Sequence, residues 1–471
     1  MPAIVPQGSH LSRIAGRFVA LVLFLVIALL LPAATPASGG GEAAHGGLGE
    51  TLNPAWVTFF VLMLLSIAIL PIKAEKWWHS NLNKFWIALA LGAPILVLYL
   101  LKSPASLMHT LDEYIAFILL LTALFVISGG ILLRGDLRAT PLTNVGFLAL
   151  GTVLASIMGT TGASMLLIRP LLKTNSERTH TVHTILFFIF SVSNIGGLLT
   201  PLGDPPLFMG YLRGVPFTWT LTLYPEWLAV NGLVLLIYFI WDNHALSREP
   251  EAALHRDRML VEPLRILGNL NWPLLIGVVL AVAFITRPHL MPPAWPFHDR
   301  EVVLVILAAL SLWMTPQAVR RGNHYTWHPI IEVGVLFFGI FLTMIPALEL
   351  LQARGASLGI VQPWQFFWAT GLLSAFLDNT PTYLTFFSLA QGLGQTGSLP
   401  GVMMSDAVLK AISLGAVFFG AATYIGNAPN FMVKSIAEQR GVTMPSFFAY
   451  FGIAVLILFP IFALLTWWVF A

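Results

Sequence analysis

The sequence contains no cysteine, and only 10% of its 471 residues are charged. The absence of cysteine excludes disulfides, thiolate metal sites and cysteine nucleophiles. The scarcity of charge excludes an ordinary soluble domain, in which about 25% of residues are charged. The sequence also has no Walker A motif, nucleophile elbow or metal-ligand cluster, so we expect neither an enzyme nor a nucleotide-driven pump.

The abundant residues are apolar: 57% of the chain is hydrophobic, and the mean hydropathy is +0.82. Apolar runs of about 18 residues or more recur along the chain, and each is long enough to cross a bilayer core of about 30 Å. The sequence therefore predicts an all-α, multi-pass membrane protein, which we expect in the lipid bilayer of a bacterial inner membrane. The predicted spans are 54–72, 85–101, 113–133, 181–212, 224–242, 271–286, 299–315, 329–350, 405–436 and 445–470.

Two further apolar stretches, 144–172 and 363–397, are interrupted, and we predict that each turns back as a re-entrant hairpin. If both return to the side from which they entered, most lysines and arginines fall on one side of the membrane, as the positive-inside rule requires. The first hairpin would then enter from the inside and the second from the outside. Basic cytoplasmic loops also explain the net charge of +3, so no nucleic-acid partner is expected.

The chain divides into four regions on this interpretation. Residues 1–37 contain a basic, an apolar and a small-residue region in that order, which is typical of a signal peptide cleaved near Ala37; a retained first helix is the alternative. Residues 54–243 and 269–471 form two transmembrane repeats, and the polar, arginine-rich segment 244–268 is predicted to be a cytoplasmic linker between them.

The two repeats share a short motif. Residues 203–209 and 426–432 both match G-[D/N]-x-P-x-F-M, and an interrupted apolar segment lies upstream of each. Because the two hairpins are predicted to enter from opposite sides, this is an inverted repeat, and paired interruptions of this kind indicate a transporter's binding site. The residues predicted to break the helices are Gly196, Gly197, Gly203, Pro205, Pro206, Gly426 and Pro429.

Helix breaks inside a membrane are costly, since every unsatisfied backbone group in hydrocarbon costs several kcal/mol. Breaks that line an internal cavity instead offer carbonyl oxygens to a cation and positive helix ends to an anion. We therefore expect both breaks to face the substrate rather than lipid.

Two carboxylates, Asp204 and Asp378, fall inside these interruptions, one in each half. A carboxylate within the membrane is a functional candidate by default, and the competing interpretation is that it caps a half-helix N-terminus. Oxygen donors of the kind that hard cations take cluster at the same places, although they could equally satisfy broken backbone. These donors are Asn194, Asn379, Asn427, Asn430, Ser193, Thr160, Thr161, Thr380 and Thr423.

Two histidines, His180 and His183, begin the 181–212 span. A role in pH sensing is one interpretation, and a polar edge at the membrane surface is the other.

The segment Ser193–Asp204 resembles the S-N-x-G-G-x-x-[ST]-P-[IL]-G-D stretch of NhaD-type sodium/proton antiporters, and Phe376–Asn379 resembles their second-half D-N motif. The chain is thus similar, over about residues 54–470, to the ion transporter superfamily, which also includes CitMHS-type citrate transporters and divalent anion/sodium symporters. Pro205 and Pro206 stand where NhaD-type antiporters are expected to have threonines. The resemblance implies a homodimer in which a scaffold domain supports a mobile transport domain that contains the hairpins and broken helices.

The sequence and the resemblance together predict a secondary active transporter, with Na⁺/H⁺ antiport as the leading hypothesis. Asp204 and Asp378 would bind Na⁺ and H⁺ in turn, with no cofactor beyond these transported ions. The alternative is a Na⁺- or H⁺-coupled transporter of citrate or another organic anion, in which the half-helix ends would hold the anion.

Overall fold

The computed structural model describes residues 48–285 and 298–470. The predicted signal peptide or first helix (1–37) and the last residue of the predicted span 271–286 lie outside the described residues. The helices are α1 Val57–Lys73, α2 Glu75–Trp78, α3 Asn81–Lys102, α4 Pro104–Ser128, α5 Pro141–Met158, α6 Thr160–Thr174, α7 Val182–Ser191, α8 Pro205–Leu212, α9 Tyr224–Leu246, α10 Glu251–Met259, α11 Asn271–Phe284, α12 Asp299–Met314, α13 Gln317–Gly322, α14 His328–Arg354, α15 Pro363–Phe376, α16 Asn379–Gly392, α17 Asp406–Phe419, α18 Ala428–Gln439 and α19 Phe447–Phe470, with the strands β1 Leu132–Asp136 and β2 Glu262–Leu267.

Long apolar helices dominate the part of the chain that the structure describes, which confirms the prediction of an all-α polytopic membrane protein. Eight helical segments are long and apolar enough to cross a bilayer: Pro54–Pro71, Asn81–Lys102, Pro104–Ser128, Pro141–Met158, Val182–Leu199, Phe217–Leu246, His328–Leu358 and Phe447–Phe470. The predicted spans 271–286 and 299–315 correspond to the shorter helices α11 and α12, of 14 and 16 residues.

Both predicted broken helices are broken. A 3₁₀ turn, Ile195–Leu199, and an irregular stretch separate α7 from α8. In the second half, the 3₁₀ turn Gly420–Ala422 and an irregular stretch separate α17 from α18 in the same order. The two repeats therefore have the same local backbone plan.

Each break is accompanied by a helix pair that bends at one or two residues. Helices α5 and α6 pack against each other and meet at Gly159, whose φ of 79° favours glycine. Helices α15 and α16 meet at Leu377 and Asp378. That each helix pair returns to the side from which it entered stays a prediction, which is based on the distribution of lysines and arginines. Helix α5 is itself long enough to cross a bilayer.

The packing of these helices interlocks the two repeats. Helix α8 of the first repeat packs along α16 of the second, and α18 of the second packs along α6 of the first. Because all four helices start near the breaks, this exchange brings four helix N-termini together in the core.

The described residues also contain a two-stranded antiparallel sheet, which the sequence did not predict. Strand β1 pairs with β2, which lies inside the predicted linker 244–268. The linker is therefore attached to the first repeat by backbone hydrogen bonds and is more than a flexible connection.

Candidate functional site

Asp204 lies at the centre of the core, where it is the N-cap residue of α8 and is fully buried. Its Oδ1 accepts hydrogen bonds from the Thr160 hydroxyl at 3.3 Å and from the Asn427 amide at 3.1 Å. Its Oδ2 accepts from the Asn379 amide at 2.5 Å. All three donors are also buried. Both carboxylate oxygens thus accept hydrogen bonds from neutral donors, and an ionised carboxylate, which only accepts, could keep all three of them.

These donors come from both repeats and from three other helices. Thr160 is the first residue of α6, Asn379 is the first residue of α16, and Asn427 is the N-cap of α18. Together with α8 itself, four helices begin within one hydrogen bond of Asp204. Each contributes a partial positive charge of about half an elementary charge, so the four helix ends stabilise the buried carboxylate.

The Asp204 side chain makes no N-cap hydrogen bond, although it occupies the N-cap position. The next two residues, Pro205 and Pro206, lack the N–H groups that a helix ordinarily leaves unsatisfied at its start. The interpretation of Asp204 as a helix cap is therefore wrong, and its carboxylate is available to groups of the other helices.

Asp378 behaves differently. Its Oδ1 accepts from the Thr380 N–H at 3.1 Å, so it caps α16 as the alternative interpretation held. The residue is half-buried and precedes Asn379, which donates to Asp204. Asp378 is therefore linked to Asp204 through the chain, since the residue that follows it donates to that carboxylate.

A second group of buried amides lies beside this centre. The Asn194 amide donates to Asn430 Oδ1 at 2.7 Å and to the Ile189 carbonyl at 2.7 Å. The Asn430 amide in turn donates to the Gly420 and Thr423 carbonyls, both at 2.8 Å. Asn194 Oδ1 is buried and accepts no hydrogen bond from any of the described residues. An orphaned buried acceptor requires an explanation, and a cation is one that fits an amide oxygen.

Several of the predicted oxygen donors satisfy broken backbone instead. The Thr423 hydroxyl donates to the Ala375 carbonyl at 2.5 Å and accepts from the Gly426 N–H at 3.1 Å. The Ser193 hydroxyl is 2.8 Å from that of Ser164. These contacts favour a structural role for both side chains.

The remaining predicted donors contribute through different atoms or not at all. The Thr380 hydroxyl lies 3.5 Å from Asn379 Oδ1. Thr161 is half-buried, and its side chain makes no hydrogen bond to the cluster. The Ser193 carbonyl, rather than its hydroxyl, accepts from Asn427 at 3.1 Å.

The glycines at the breaks are explained by close backbone contacts. A Cβ on Gly203 would lie 2.1 Å from the Gly197 carbonyl oxygen, and one on Gly426 would lie 2.7 Å from the Gly420 oxygen. Both broken helices thus fold back on themselves through a glycine–glycine contact at equivalent positions, and any larger residue would force them apart.

A charged link that no sequence pattern predicted lies at the far end of α8. Arg213, its C-cap, contacts both carboxylate oxygens of Glu113 on α4 at 3.0 and 3.2 Å and donates to the Ser388 hydroxyl on α16 at 3.3 Å. Glu113 is buried, although it stood at the first position of a predicted span. The link holds α8 and α16 together at the ends opposite Asp204 and Asn379.

A second charged group lies at the start of α7. His183 is buried, with its Nε2 2.8 Å from Asp242 Oδ1, and Arg178 lies 2.7 Å from the same oxygen. The interpretation of His183 as a polar edge residue is therefore wrong. His180 is half-exposed and lies 3.3 Å from Glu249. These contacts make a buried ionic network, which is separate from the Asp204 centre.

Among residues 48–285 and 298–470, no group of three or more histidine, aspartate or glutamate side chains could hold a metal ion. A transported cation would therefore rely on amide, hydroxyl and backbone oxygens in addition to Asp204.

Known proteins are similar to the chain over nearly its whole length. A family model described as "Putative citrate transport" matches residues 49–470. Uncharacterized transporters of Mycobacterium bovis and Mycobacterium tuberculosis are each 26% identical over 420 residues, which cover 82% of this chain and 90% of the relative. A 46 kDa membrane protein of Mycobacterium leprae is 27% identical over 352 residues, which cover 68% of this chain and 76% of the relative. The chain therefore belongs to the CitMHS family of membrane transporters.

Proposed function

We propose that this transporter exchanges Na⁺ for H⁺ at Asp204. The observation that carries the proposal is the donor set around this carboxylate, which consists of one hydroxyl and two amides from both repeats. No lysine or arginine side chain in the part of the chain that the structure describes is bonded to it. A site built for a multiply charged anion would ordinarily supply guanidinium or ammonium groups. A single buried carboxylate among neutral oxygen-bearing side chains is better suited to one monovalent cation.

The amides can serve both states of the exchange cycle. As the structure stands, Asn379 and Asn427 turn their NH₂ groups to Asp204. Rotation of either amide by half a turn would present its carbonyl oxygen, which is a ligand that hard cations accept. Asn194 Oδ1 would add an oxygen that has no partner among the residues that the structure describes. A proton on Asp204 would remove the charge that holds Na⁺, so the two ions would compete for one site.

Proteoliposomes that contain a pH-sensitive dye test this proposal. A sodium gradient should change the lumenal pH. Asp204→Asn should abolish this change, because the asparagine side chain neither takes up a proton nor carries the negative charge that would hold Na⁺. A potassium gradient of the same size controls for osmotic and diffusion effects. A lumenal pH that does not respond to sodium under any gradient would exclude Na⁺/H⁺ antiport.

A second candidate is cation-coupled transport of citrate or another organic anion. Two observations favour it: the family description, and the convergence of four positive helix ends on the site. In this case Asp204 would bind only the coupling cation, and the helix ends would hold the substrate carboxylates. Homodimer formation remains a proposal that belongs to either mechanism.

Uptake of labelled citrate into the same proteoliposomes separates the two candidates. Sodium- or proton-dependent accumulation of citrate, without sodium-driven pH change in its absence, would establish the second candidate and refute the first. Thr161→Val is a suitable control variant for both assays, since Thr161 neighbours Thr160 but makes no hydrogen bond to the cluster.

A further inference from the structure

The small sheet outside the helical core has two pairs of like charges in register. Strands β1 and β2 place Arg134 opposite Arg265 and Asp136 opposite Glu262. Like charges directly opposite each other destabilise an antiparallel pair. Each pair therefore needs a counter-ion.

The acidic pair has its counter-ion within the protein. Lys173, near the end of α6, has its Nζ 2.7 Å from Glu262 and 3.9 Å from Asp136. Burial, followed by the charge of Glu177, raises the pKa of Asp136 to about 6, and Lys173 opposes that rise. The pair is thus bridged by a cation of the same chain.

The basic pair has no such bridge in the part of the chain that the structure describes. Arg134 and Arg265 are both exposed, and neither side chain makes a hydrogen bond or an ion pair with the described residues. Glu262 is near enough that the charge of Arg265 contributes to lowering its pKa, but Lys173 lowers it most and takes its hydrogen bond. Two adjacent guanidinium groups consequently face solvent without an acceptor.

The linker segment that contains β2 also exposes more arginines than acids. Asp257 is buried and accepts from the Ala139 N–H at 2.9 Å, and Glu249 is buried and accepts from the Thr179 N–H at 2.9 Å. Glu251 remains exposed. The exposed arginines of this segment are Arg248, Arg256 and Arg258. The linker therefore buries two of its four acids and leaves all four of its arginines exposed.

An exposed apolar run precedes β2. Met259, Leu260 and Val261 are 73%, 54% and 50% exposed. Apolar side chains beside arginines are typical of segments that lie at a membrane surface, where the apolar groups enter the boundary between headgroups and acyl chains. A soluble anion would explain the arginines but not these three residues.

We propose that Arg134 and Arg265 bind the phosphate of an anionic phospholipid headgroup, with Met259 to Val261 entering the adjacent lipid. A phosphate accepts parallel hydrogen bonds from guanidinium groups, and its charge relieves the repulsion between the two strands. The positive-inside count places this loop on the cytoplasmic side, so the lipid would come from the inner leaflet.

Native mass spectrometry of the full-length protein, released from bilayers of phosphatidylglycerol and phosphatidylcholine, tests the proposal. We expect the protein to retain phosphatidylglycerol preferentially. Arg134→Gln/Arg265→Gln should reduce that preference roughly tenfold or more, given the usual contribution of an arginine at an anionic surface. Arg134→Lys/Arg265→Lys should keep most of it because the charge is retained.

The matched control is Arg138→Gln/Arg440→Gln, which removes the same charge from two exposed arginines off the sheet. It should change the preference less than about twofold. An equal loss in the control would show that net charge alone attracts the lipid, and an undiminished preference in the Arg134/Arg265 variant would equally overturn the proposal. Displacement of the lipid by millimolar inorganic phosphate would overturn the lipid proposal and show that the two arginines bind a soluble anion. Size-exclusion chromatography checks folding, and Arg265→Gln alone serves if the double variant does not fold.

Discussion

The two broken helices have the same backbone and different chemistry. Asp204 and Asn427 occupy equivalent N-cap positions with similar dihedral angles, φ −137° and ψ 136° against φ −151° and ψ 143°, and neither side chain caps its own helix. Yet one is a carboxylate and the other an amide, and they hydrogen bond to each other at 3.1 Å. Two carboxylates at this separation would repel each other strongly. The repeat therefore duplicates the scaffold of the site but allows only one charge in it.

The largest expected effect comes from removal of that charge. We predict that Asp204→Asn abolishes ion-coupled transport while the protein still folds, because the amide keeps the size of the side chain but cannot exchange a proton for a cation. Transport in proteoliposomes and size-exclusion chromatography measure the two properties. Normal coupled transport by this variant would show that the asymmetry between the breaks has no functional role.

Exchange of the two residues tests the equivalence directly. In Asp204→Asn/Asn427→Asp the carboxylate moves to the other repeat but stays within one hydrogen bond of its original position. We predict that the double variant recovers part of the transport lost in Asp204→Asn, on the order of a tenth of the native rate. A double variant as inactive as the single one would mean that the donors Thr160 and Asn379 recognise only position 204.

The first residues of α6, beside the first break, are expected to give an intermediate effect. Thr160→Val removes one donor to Asp204, and loss of a hydrogen bond to a buried charged group costs about 1.5–3 kcal/mol. We therefore predict a change of roughly tenfold or more in the apparent affinity for the coupling cation, measured from the concentration dependence of transport. Thr161→Val, one residue away, should leave this affinity within about twofold; an equal change in both variants would contradict the geometry.

The smallest effect concerns Asp378, the carboxylate that does cap a helix. Asp378→Ala should lower the free energy of unfolding by about 1 kcal/mol, the usual value of an N-cap, whereas Asp378→Asn should retain it. Thermal denaturation in detergent compares the two variants. If Asp378→Asn nevertheless stops transport, the residue binds ions as the sequence predicts; if its transport is normal, capping is its whole role.

Much of the architecture could be predicted from local pattern. The hydrophobic runs predicted the long helices because burial in a bilayer requires them. The glycines and prolines of the doubled motif predicted both breaks because these residues interrupt helices wherever they occur. Neither pattern could reveal the sheet between β1 and β2. Its paired residues are 126 or more positions apart in the chain, and the strands are short and lack a clear alternation of apolar and polar residues.

The contacts between functional residues depended on the fold instead. Glu113 and Arg213 are 100 residues apart and each resembled a residue at a membrane edge, so their ion pair had no signal in the sequence. His183 likewise lies at the start of a predicted span, and no local pattern indicates that it is buried against Asp242. Which side chains are buried, and which of them contact each other, depends on which helices pack together. No short segment of the sequence indicates how distant segments pack.

By itself, the sequence determined that this protein spans a membrane many times, that its two halves repeat, and that Asp204 and Asp378 lie at helix breaks. These follow from composition and from residues whose backbone preferences act locally. Only the tertiary structure decided that the two breaks form one centre around Asp204, that Asn427 and Asn379 donate to it, and that Asp378 caps a helix. The reason is physical: a side chain's role depends on the donors and charges around it, and these come from the opposite repeat.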